Sequence, residues 1–141
     1  MPPPPKAAHP DAGSESAERV PAPPSVGVDI VEIERVAGVI ARWQERFLHR
    51  VYTEAERRYC RNQVPELAAR FAGKEAIAKA LGTGIRGLAW RDMEILPDRL
   101  GKPLVTLHNR ARQRAATLGL THFAISLSHS REYAVAMVVA T

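Results

Sequence analysis

The sequence lacks most features of exported and membrane-bound proteins. It contains a single cysteine, Cys60, so the chain cannot form an internal disulfide framework, and a reducing cytoplasm suits it. We interpret Cys60 as an unreactive residue within a helix. No apolar run approaches the roughly 18 residues of a membrane-spanning helix, and the first residues include no continuous apolar core of a signal peptide. We therefore expect a cytoplasmic protein that does not contact a membrane.

Aromatic and acidic residues are also scarce. Aromatic residues make up 6% of the chain, which is little for a platform on which nucleic-acid bases stack. Lysine and arginine number 20 against 15 acids, which gives a net charge of +5 and a pI near 9.9. This balance predicts an acidic partner, but it does not choose among nucleic acid, a phosphorylated ligand and an acidic protein.

Proline is concentrated at one end of the chain. Of the 11 prolines, eight lie within residues 1–24, and we predict that this segment is a disordered tail. The remaining residues, 25–141, form the predicted domain, since an apolar fraction of 45% suits a globular core.

Residues 67–87 are the stretch around which the chain is organised, and residues 67–81 of it form the predicted helix. They are rich in helix-forming residues, and Gly82 follows at the place of a C-terminal cap. Glu75 lies on the small apolar face of this predicted helix, where an unpartnered carboxylate is costly. Its partner would be either Lys79, four residues later, or a metal ion; the alternative is an ordinary surface ion pair. The apolar residues that share this face are Ala68, Phe71, Ala72 and Ala78.

Residues 25–33 read as the first strand, interrupted by Asp29. Apolar residues fall on both of its faces, which predicts a central position in the sheet. Asp29 and Glu75 together resemble the small oxygen-ligand set that magnesium takes, with water and phosphate completing the shell. The alternative is that Asp29 caps the following turn.

Residues 34–50 are predicted to form one amphipathic helix. Its basic residues recur at spacings of seven, four and four along one exposed side, and they either contact an acidic partner or are simply solvated. The basic stripe comprises Arg35, Arg42, Arg46 and Arg50; the apolar stripe comprises Val36, Val39, Ile40, Trp43 and Phe47.

The rest of the chain alternates short helices and hairpins. A capping box at Thr53 and Glu56 opens a short helix to about Asn62, and Pro65 begins the central helix. Residues 88–97 and 103–107 predict a hairpin, residues 109–118 a helix, and residues 121–128 with 132–140 a final hairpin. The glycine-rich loop 82–87 and the polar turn 128–131 suit phosphate contacts, although either could be an ordinary turn.

Four segments, in this order, resemble the bacterial holo-acyl-carrier-protein synthase family of 4′-phosphopantetheinyl transferases. They read VGVDIVEIERV, RFAGKEAIAKALGTGI, GKP and SLSHS, and the resemblance covers about residues 25–141. It implies a small α+β fold in which an antiparallel sheet packs against a long central helix, assembled as a homotrimer with active sites between subunits. It also implies coenzyme A as donor and a serine of apo acyl carrier protein as acceptor.

The resemblance assigns roles residue by residue. It implies that Asp29 and Glu75 bind Mg²⁺, that Lys79 lies near the pyrophosphate, and that these three residues are catalytic. Arg35 and Arg46 match residues that receive the carrier protein, and we extend this surface to Arg42 and Arg50. Arg70 and His129 match residues near the phosphate and the nucleotide. We extend the predicted coenzyme A contacts to Lys74, Gly82, Thr83, Gly84, Lys102, Pro103, Ser128 and Ser130.

The implied chemistry is attack of the carrier serine on the β-phosphate of coenzyme A, with 3′,5′-ADP leaving. The base is either Glu75 or a metal-bound water held by Asp29. Two other functions stay open: a nucleic-acid-binding module, which would not explain acids on apolar faces, and a non-catalytic carrier-docking subunit. The chain departs from the family at its tail and at Gly73, where alanine is commoner and helix propensity falls by roughly 1 kcal/mol.

Overall fold

The computed structural model describes residues 1–4 and 20–141, so the predicted tail lies mostly outside the described residues. The fold belongs to the α+β class, as predicted. The elements are β1 (Ser25–Glu32), α1 (Ile33–Trp43), α2 (Glu45–Val51), α3 (Glu54–Cys60), α4 (Val64–Ala80), a 3₁₀ turn (Trp90–Asp92), β2 (Met93–Pro97), β3 (Pro103–Leu107), α5 (Asn109–Thr117), β4 (Phe123–His129) and β5 (Tyr133–Ala140).

Three strands form the main antiparallel sheet in the order β1-β5-β4, and β2 pairs with β3 in a separate hairpin. The prediction that β1 is central was wrong, because β5 takes that place and β1 lies at the edge. The outward side chains of β1 are apolar although no element of the described chain covers them. Val26, Val28 and Ile30 are 64%, 57% and 63% exposed.

The central helix α4 packs across the inner face of this sheet. Its contact with β1 depends on Gly27, because a Cβ at this position would lie 1.9 Å from the carbonyl oxygen of Ala76. The strand can therefore approach the helix backbone more closely than any side chain would allow. Asp29 follows two residues later with its side chain on the same inner face of β1, which brings it to the C-terminal half of α4.

The ends of α4 match their predictions. Pro65 lies in the first turn, and Gly82 follows the helix with a φ of +77°, the left-handed conformation that ends many helices. The glycine at position 73 has a packing reason, since a Cβ there would lie 2.5 Å from Cδ1 of Ile95. Preceding α4, the predicted capping box is present, with Thr53 and Glu56 each accepting a backbone N–H from the other.

Two predicted elements differ from the structure. The single helix predicted over residues 34–50 is broken at Gln44, whose φ of +47° ends α1 and turns the chain into α2. As a consequence Trp43 leaves the apolar stripe and is 47% exposed. The strand predicted from residue 88 begins only at Met93, because residues 90–92 form a 3₁₀ turn.

The part of the chain that the structure describes includes no helix with the length and apolar character needed to cross a bilayer. The buried Cys60 fits its predicted role, because burial raises the pKa of its thiol to about 11 and leaves it protonated and unreactive at neutral pH.

Candidate active site

Asp29 and Glu75 line the same cleft, which has a volume of about 670 Å³ and lies among β1, α1, α2 and α4. The structure therefore brings together the two acids that the sequence analysis paired. Arg35 and Arg50 line the same cleft, together with a third acid, Glu32. The apolar part of the wall includes Val36, Val39, Phe47, Val51, Phe71 and Trp90.

Lys79 pairs with Asp29 across the helix–strand contact. Its Nζ donates to Oδ1 of Asp29 at 3.2 Å and to the carbonyl oxygen of Val28 at 2.9 Å. The Asp29 side chain is 16% exposed and that of Lys79 is 51% exposed, so the lysine reaches solvent while the carboxylate is largely covered. Asp29 therefore does not cap the following turn, and the ion-pair partner of Lys79 in the described chain is Asp29 rather than Glu75.

Glu75 makes no hydrogen bond or ion pair with any other side chain that the structure describes. Burial raises the pKa of this carboxyl group, the nearby Asp29 carboxylate raises it further, and Lys79 partly offsets both effects. Of the two acids, Asp29 is bonded to Lys79, and Glu75 has no hydrogen-bonded cation among the described side chains.

This donor set fits a magnesium ion. Carboxylate oxygens are the protein ligands that magnesium prefers, and it commonly takes only one or two of them. Nowhere among residues 1–4 and 20–141 do three or more histidine, cysteine or acidic side chains converge on a possible metal position. A closed, all-protein cage of such side chains is thus absent from the described chain, and an ion at Asp29 and Glu75 would keep positions open for water or phosphate oxygens.

Lys74 does not face this cleft, which contradicts its predicted contact with the cofactor. Its side chain is completely buried, and Nζ donates to Glu56 Oε1 at 2.8 Å and to the carbonyl oxygens of Trp90 and Met93. Burial lowers the pKa of Lys74, and the Glu56 carboxylate counteracts that shift. Lys74 is therefore a core residue that ties α4 to α3 and β2.

Arg70 is also buried, which contradicts its predicted contact with a phosphate of the cofactor. Its Nη1 donates to Glu66 at 2.8 Å, and its guanidinium lies 4.6 Å from the centre of the Tyr59 ring. Its side chain is only 4% exposed, so no cofactor phosphate can reach it in this arrangement.

The other predicted coenzyme A contacts are accessible but lie outside the cleft of a single chain. Gly82, Lys102, Ser128, His129 and Ser130 are exposed, and Thr83, Gly84 and Pro103 are half-buried. The hydroxyl of Ser130 accepts the backbone N–H groups of Glu132 and Tyr133 and so closes the β4–β5 turn. None of these eight residues is among those that line the cleft around Asp29.

The basic residues of α1 and α2 do not form one continuous stripe. All four are exposed, but the break at Gln44 separates them into two groups. Arg35 and Arg50 line the cleft, whereas the guanidinium groups of Arg42 and Arg46 lie 5.1 Å and 5.9 Å from the centre of the Trp43 ring. The second group is a surface patch of one exposed tryptophan and two arginines.

Sequence reasoning missed two features of the site. Phe71 and Trp90 stack with ring centres 4.9 Å apart and form an apolar wall beside the acids. Arg114 of α5 donates from Nε to the carbonyl oxygen of Leu81 and so caps α4 next to the glycine-rich loop. Phe71 was visible on the apolar face of the predicted helix, but nothing local in the sequence indicated its stacking on Trp90 of the 3₁₀ turn or the cap from Arg114.

Comparison with known sequences agrees with the family resemblance. A sequence model of the 4′-phosphopantetheinyl transferase superfamily matches residues 25–138. A holo-[acyl-carrier-protein] synthase of Herpetosiphon aurantiacus is 50% identical over 120 residues, which cover 80% of this chain and 94% of that protein. A synthase of Dehalococcoides mccartyi is 48% identical over 114 residues, covering 81% and 95% respectively.

Comparison with solved structures gives the same answer. The crystal structure of Helicobacter pylori holo-[acyl-carrier-protein] synthase in complex with coenzyme A matches with a TM-score of 0.76 at 32% identity, covering 82% of this chain and 99% of that one. The synthase from Neisseria meningitidis matches with a TM-score of 0.77 at 34% identity, covering 83% and 97%. The predicted fold is thereby confirmed.

Proposed function

Because the chain belongs to the 4′-phosphopantetheinyl transferase superfamily, we propose that it transfers 4′-phosphopantetheine from coenzyme A to a serine of apo acyl carrier protein. The products are holo carrier protein and 3′,5′-ADP. The observation that carries this proposal is the convergence of Asp29 and Glu75, from distant segments, on one cleft that Arg35 and Arg50 also line. Such a site suits a pyrophosphate-bearing donor and an acidic protein acceptor.

Asp29 and Glu75 would hold Mg²⁺, because a divalent cation would neutralise both carboxylates, of which only Asp29 has a bonded lysine. A magnesium ion bound there would stabilise the negative charge on the pyrophosphate oxygens during transfer. Lys79, which pairs with Asp29, would contact the transferring phosphate, where its positive charge would stabilise the transition state more than the ground state.

In the transfer step, the serine oxygen of the carrier forms a bond to the β-phosphorus, and the bond from that phosphorus to the bridging oxygen breaks. The electron pair of the broken bond leaves with 3′,5′-ADP. The serine proton must pass to a base. Glu75 is the candidate base, because burial raises the pKa of its carboxyl group.

We propose that the active protein is a homotrimer. The outward face of the β1-β5-β4 sheet is apolar and exposed in one chain, and an apolar face of this kind normally packs against another surface. The residues that carry this face are Val26, Val28, Ile30, Tyr133 and Met137. A neighbouring subunit would also supply the coenzyme A contacts at Lys102, Ser128 and His129, which one chain leaves outside its own cleft.

The carrier protein would dock on the basic residues of α1 and α2. Arg35, Arg42, Arg46 and Arg50 are exposed, and acyl carrier proteins are acidic, so the charges are complementary. We place the protein in the cytoplasm, where it would supply fatty-acid biosynthesis, with residues 25–141 as the catalytic unit and residues 1–24 as an appendage.

One experiment separates this function from its alternatives. The protein is incubated with apo carrier protein, coenzyme A and Mg²⁺, and the carrier is weighed by mass spectrometry. A gain of one phosphopantetheine, abolished by EDTA and by Glu75→Gln, supports the transferase. A salt-sensitive shift of nucleic acid in a gel with no mass gain would indicate a nucleic-acid-binding module. Carrier binding without transfer would indicate a docking protein.

A further inference from the structure

The ammonium group of Lys79 is hydrogen-bonded to oxygen atoms that a metal cation at this site would use as ligands. Its Nζ lies 3.2 Å from Asp29 Oδ1 and 2.9 Å from the carbonyl oxygen of Val28. Both are hard oxygen acceptors of the kind that also bind divalent ions. The ammonium group, with its single positive charge, therefore lies where these two oxygen atoms would favour a cation.

The anchoring of the two partners is unequal. Asp29 sits on a strand whose backbone is pressed against α4 at Gly27, and its side chain is only 16% exposed. The Lys79 side chain is 51% exposed, and its ammonium group is attached to the helix through four flexible methylene groups. Among the described residues Nζ has no contact that would hold it other than these two oxygens, so Lys79 can move away while Asp29 stays in place.

The charge count favours that movement when a divalent ion arrives. Lys79 lies close enough to affect both acids but is bonded only to Asp29, and no described side chain bonds Glu75. A divalent cation would neutralise both acids, whereas Lys79 compensates only one. An ammonium group left beside such an ion would be repelled by it.

We propose that Lys79 is a resident counter-ion that exchanges with the divalent cation. In the metal-free protein its ammonium group holds Asp29; on metal binding it leaves Asp29 and becomes available to the phosphate of the donor. This inference rests on the proposed function, because it uses the same metal site. It adds that Lys79 opposes metal binding in the free enzyme, although the same residue is needed for transfer.

The test measures metal binding without any turnover. Mn²⁺ affinity is determined by electron paramagnetic resonance for the wild-type protein, Lys79→Met and Arg35→Met. Each substitution removes one positive charge, but Lys79 is bonded to Asp29, whereas Arg35 lines the cleft with Asp29 without bonding to it. We expect Lys79→Met to bind Mn²⁺ about tenfold more tightly or better, and Arg35→Met to change affinity by no more than about threefold.

A second measurement follows the lysine itself. The side-chain ammonium signal of Lys79, assigned by its loss in Lys79→Met, is recorded by ¹⁵N nuclear magnetic resonance with and without Mg²⁺ and in the absence of coenzyme A. We expect the ammonium group to become more mobile when Mg²⁺ is added.

The outcomes are distinct. Equal tightening by Lys79→Met and Arg35→Met, or an immobile Lys79 ammonium in saturating Mg²⁺, would overturn the exchange while leaving the metal site intact. If the wild-type protein and Asp29→Asn bind Mn²⁺ equally weakly, the metal site of the proposed function fails, and the exchange fails with it.

Discussion

The ammonium group of Lys74 lies 2.8 Å from the Glu56 carboxylate, and both side chains are completely shielded from solvent. Glu56 also accepts the backbone N–H groups of Thr53 and Ile95, so one carboxylate joins α3, α4 and β2. Lys74 immediately precedes Glu75 in the chain. The buried pair thus fixes the part of α4 from which the Glu75 side chain enters the cleft.

Lys74→Met should destabilise the fold rather than weaken coenzyme A binding. It leaves the Glu56 charge buried without its counter-ion, which costs roughly 3–5 kcal/mol. Denaturant unfolding measures this cost, and steady-state kinetics measures the KM for coenzyme A. The control is Arg57→Met, because Arg57 pairs with an exposed Glu45 and its loss should cost only about 0–1 kcal/mol. A variant of normal stability with a raised KM for coenzyme A would restore the cofactor contact first predicted for Lys74.

The candidate catalytic residues of the site were predictable because they stand in local sequence motifs. The packing around them was not, because it depends on contacts between distant segments. Asp29, Glu75 and Lys79 interrupt apolar patterns, which made them visible without a structure. Lys74 and Arg70 look like solvated helix residues. Their burial is recognised only when α3 is placed against α4, because α3 supplies the Glu56 carboxylate to Lys74 and the Tyr59 ring to Arg70. A long basic side chain is usually exposed, and only tertiary contacts reverse that expectation.

The fold predictions failed for similar reasons. An apolar run on both faces of β1 normally indicates a central strand, but here one face is left uncovered by the chain that the structure describes. The break between α1 and α2 depends on a single left-handed residue, Gln44, which has no strong local preference for that conformation. Hairpins were easier, since their turn residues and alternation are local signals.

The two acids of the cleft should respond differently to neutralisation. Asp29→Asn and Glu75→Gln should each lower transfer on the order of a hundredfold or more, the size expected when an electrostatic stabiliser of a transition state is lost. Without Mg²⁺, however, Glu75→Gln should raise the melting temperature, because Glu75 is partly desolvated and unpaired among the described side chains. Asp29→Asn should lower it, because Lys79 loses its partner.

The pH dependence of melting checks this reasoning. The folded-state pKa of Glu75 is raised above its usual 4.5, so the folded chain holds this proton more tightly than the unfolded chain. Protonation of Glu75 therefore adds in full to the free energy of unfolding below the pKa of the unfolded state. This contribution is lost as pH rises through the pKa of the folded state. The gain from Glu75→Gln should appear at neutral pH and vanish in acid. A gain that persists unchanged in acid would contradict the assignment.

Gly27→Ala should disrupt the site through the backbone. The new Cβ would meet the carbonyl oxygen of Ala76 at 1.9 Å, so β1 must move away from α4 and take Asp29 with it. We expect a lower melting temperature together with weaker Mg²⁺ binding. The matched control is Gly38→Ala in α1, where the added Cβ meets nothing within 4 Å and helix propensity should increase stability by about 1 kcal/mol. Equal behaviour of the two variants would show that the close approach is unimportant.

The apolar sheet face offers a test of assembly. Val28 and Met137 are directly opposite each other on β1 and β5, and they are 57% and 53% exposed. Replacing both by lysine should dissociate the proposed trimer in sedimentation velocity while leaving each chain folded, because these side chains point away from the core. Leu100→Lys, on an exposed hairpin, is the control and should leave the assembly unchanged. A wild-type protein that sediments as a monomer at micromolar concentration would contradict the trimer.

The carrier surface is best tested at the patch formed by Trp43, Arg42 and Arg46. Arg35 and Arg50 line the metal cleft, so reversing their charge would disturb donor and acceptor together. Arg42 and Arg46 lie outside it, against an exposed tryptophan, and residues of these types often anchor protein interfaces. Their charges should act mainly on the rate at which the acidic carrier associates.

Reversing both Arg42 and Arg46 to glutamate should therefore raise the KM for carrier protein by about tenfold or more and leave the KM for coenzyme A nearly unchanged. Steady-state kinetics with each substrate varied in turn, at two ionic strengths, measures this. Added salt should slow the wild-type enzyme at low carrier concentration but affect the double variant less, because screening has less attraction to remove. The control replaces Arg99 and Arg112 by glutamate. Both residues are exposed, and replacing them changes the net charge by the same amount. If both double variants raise the carrier KM equally, only net charge matters, and the patch of Trp43, Arg42 and Arg46 is not the specific landing site.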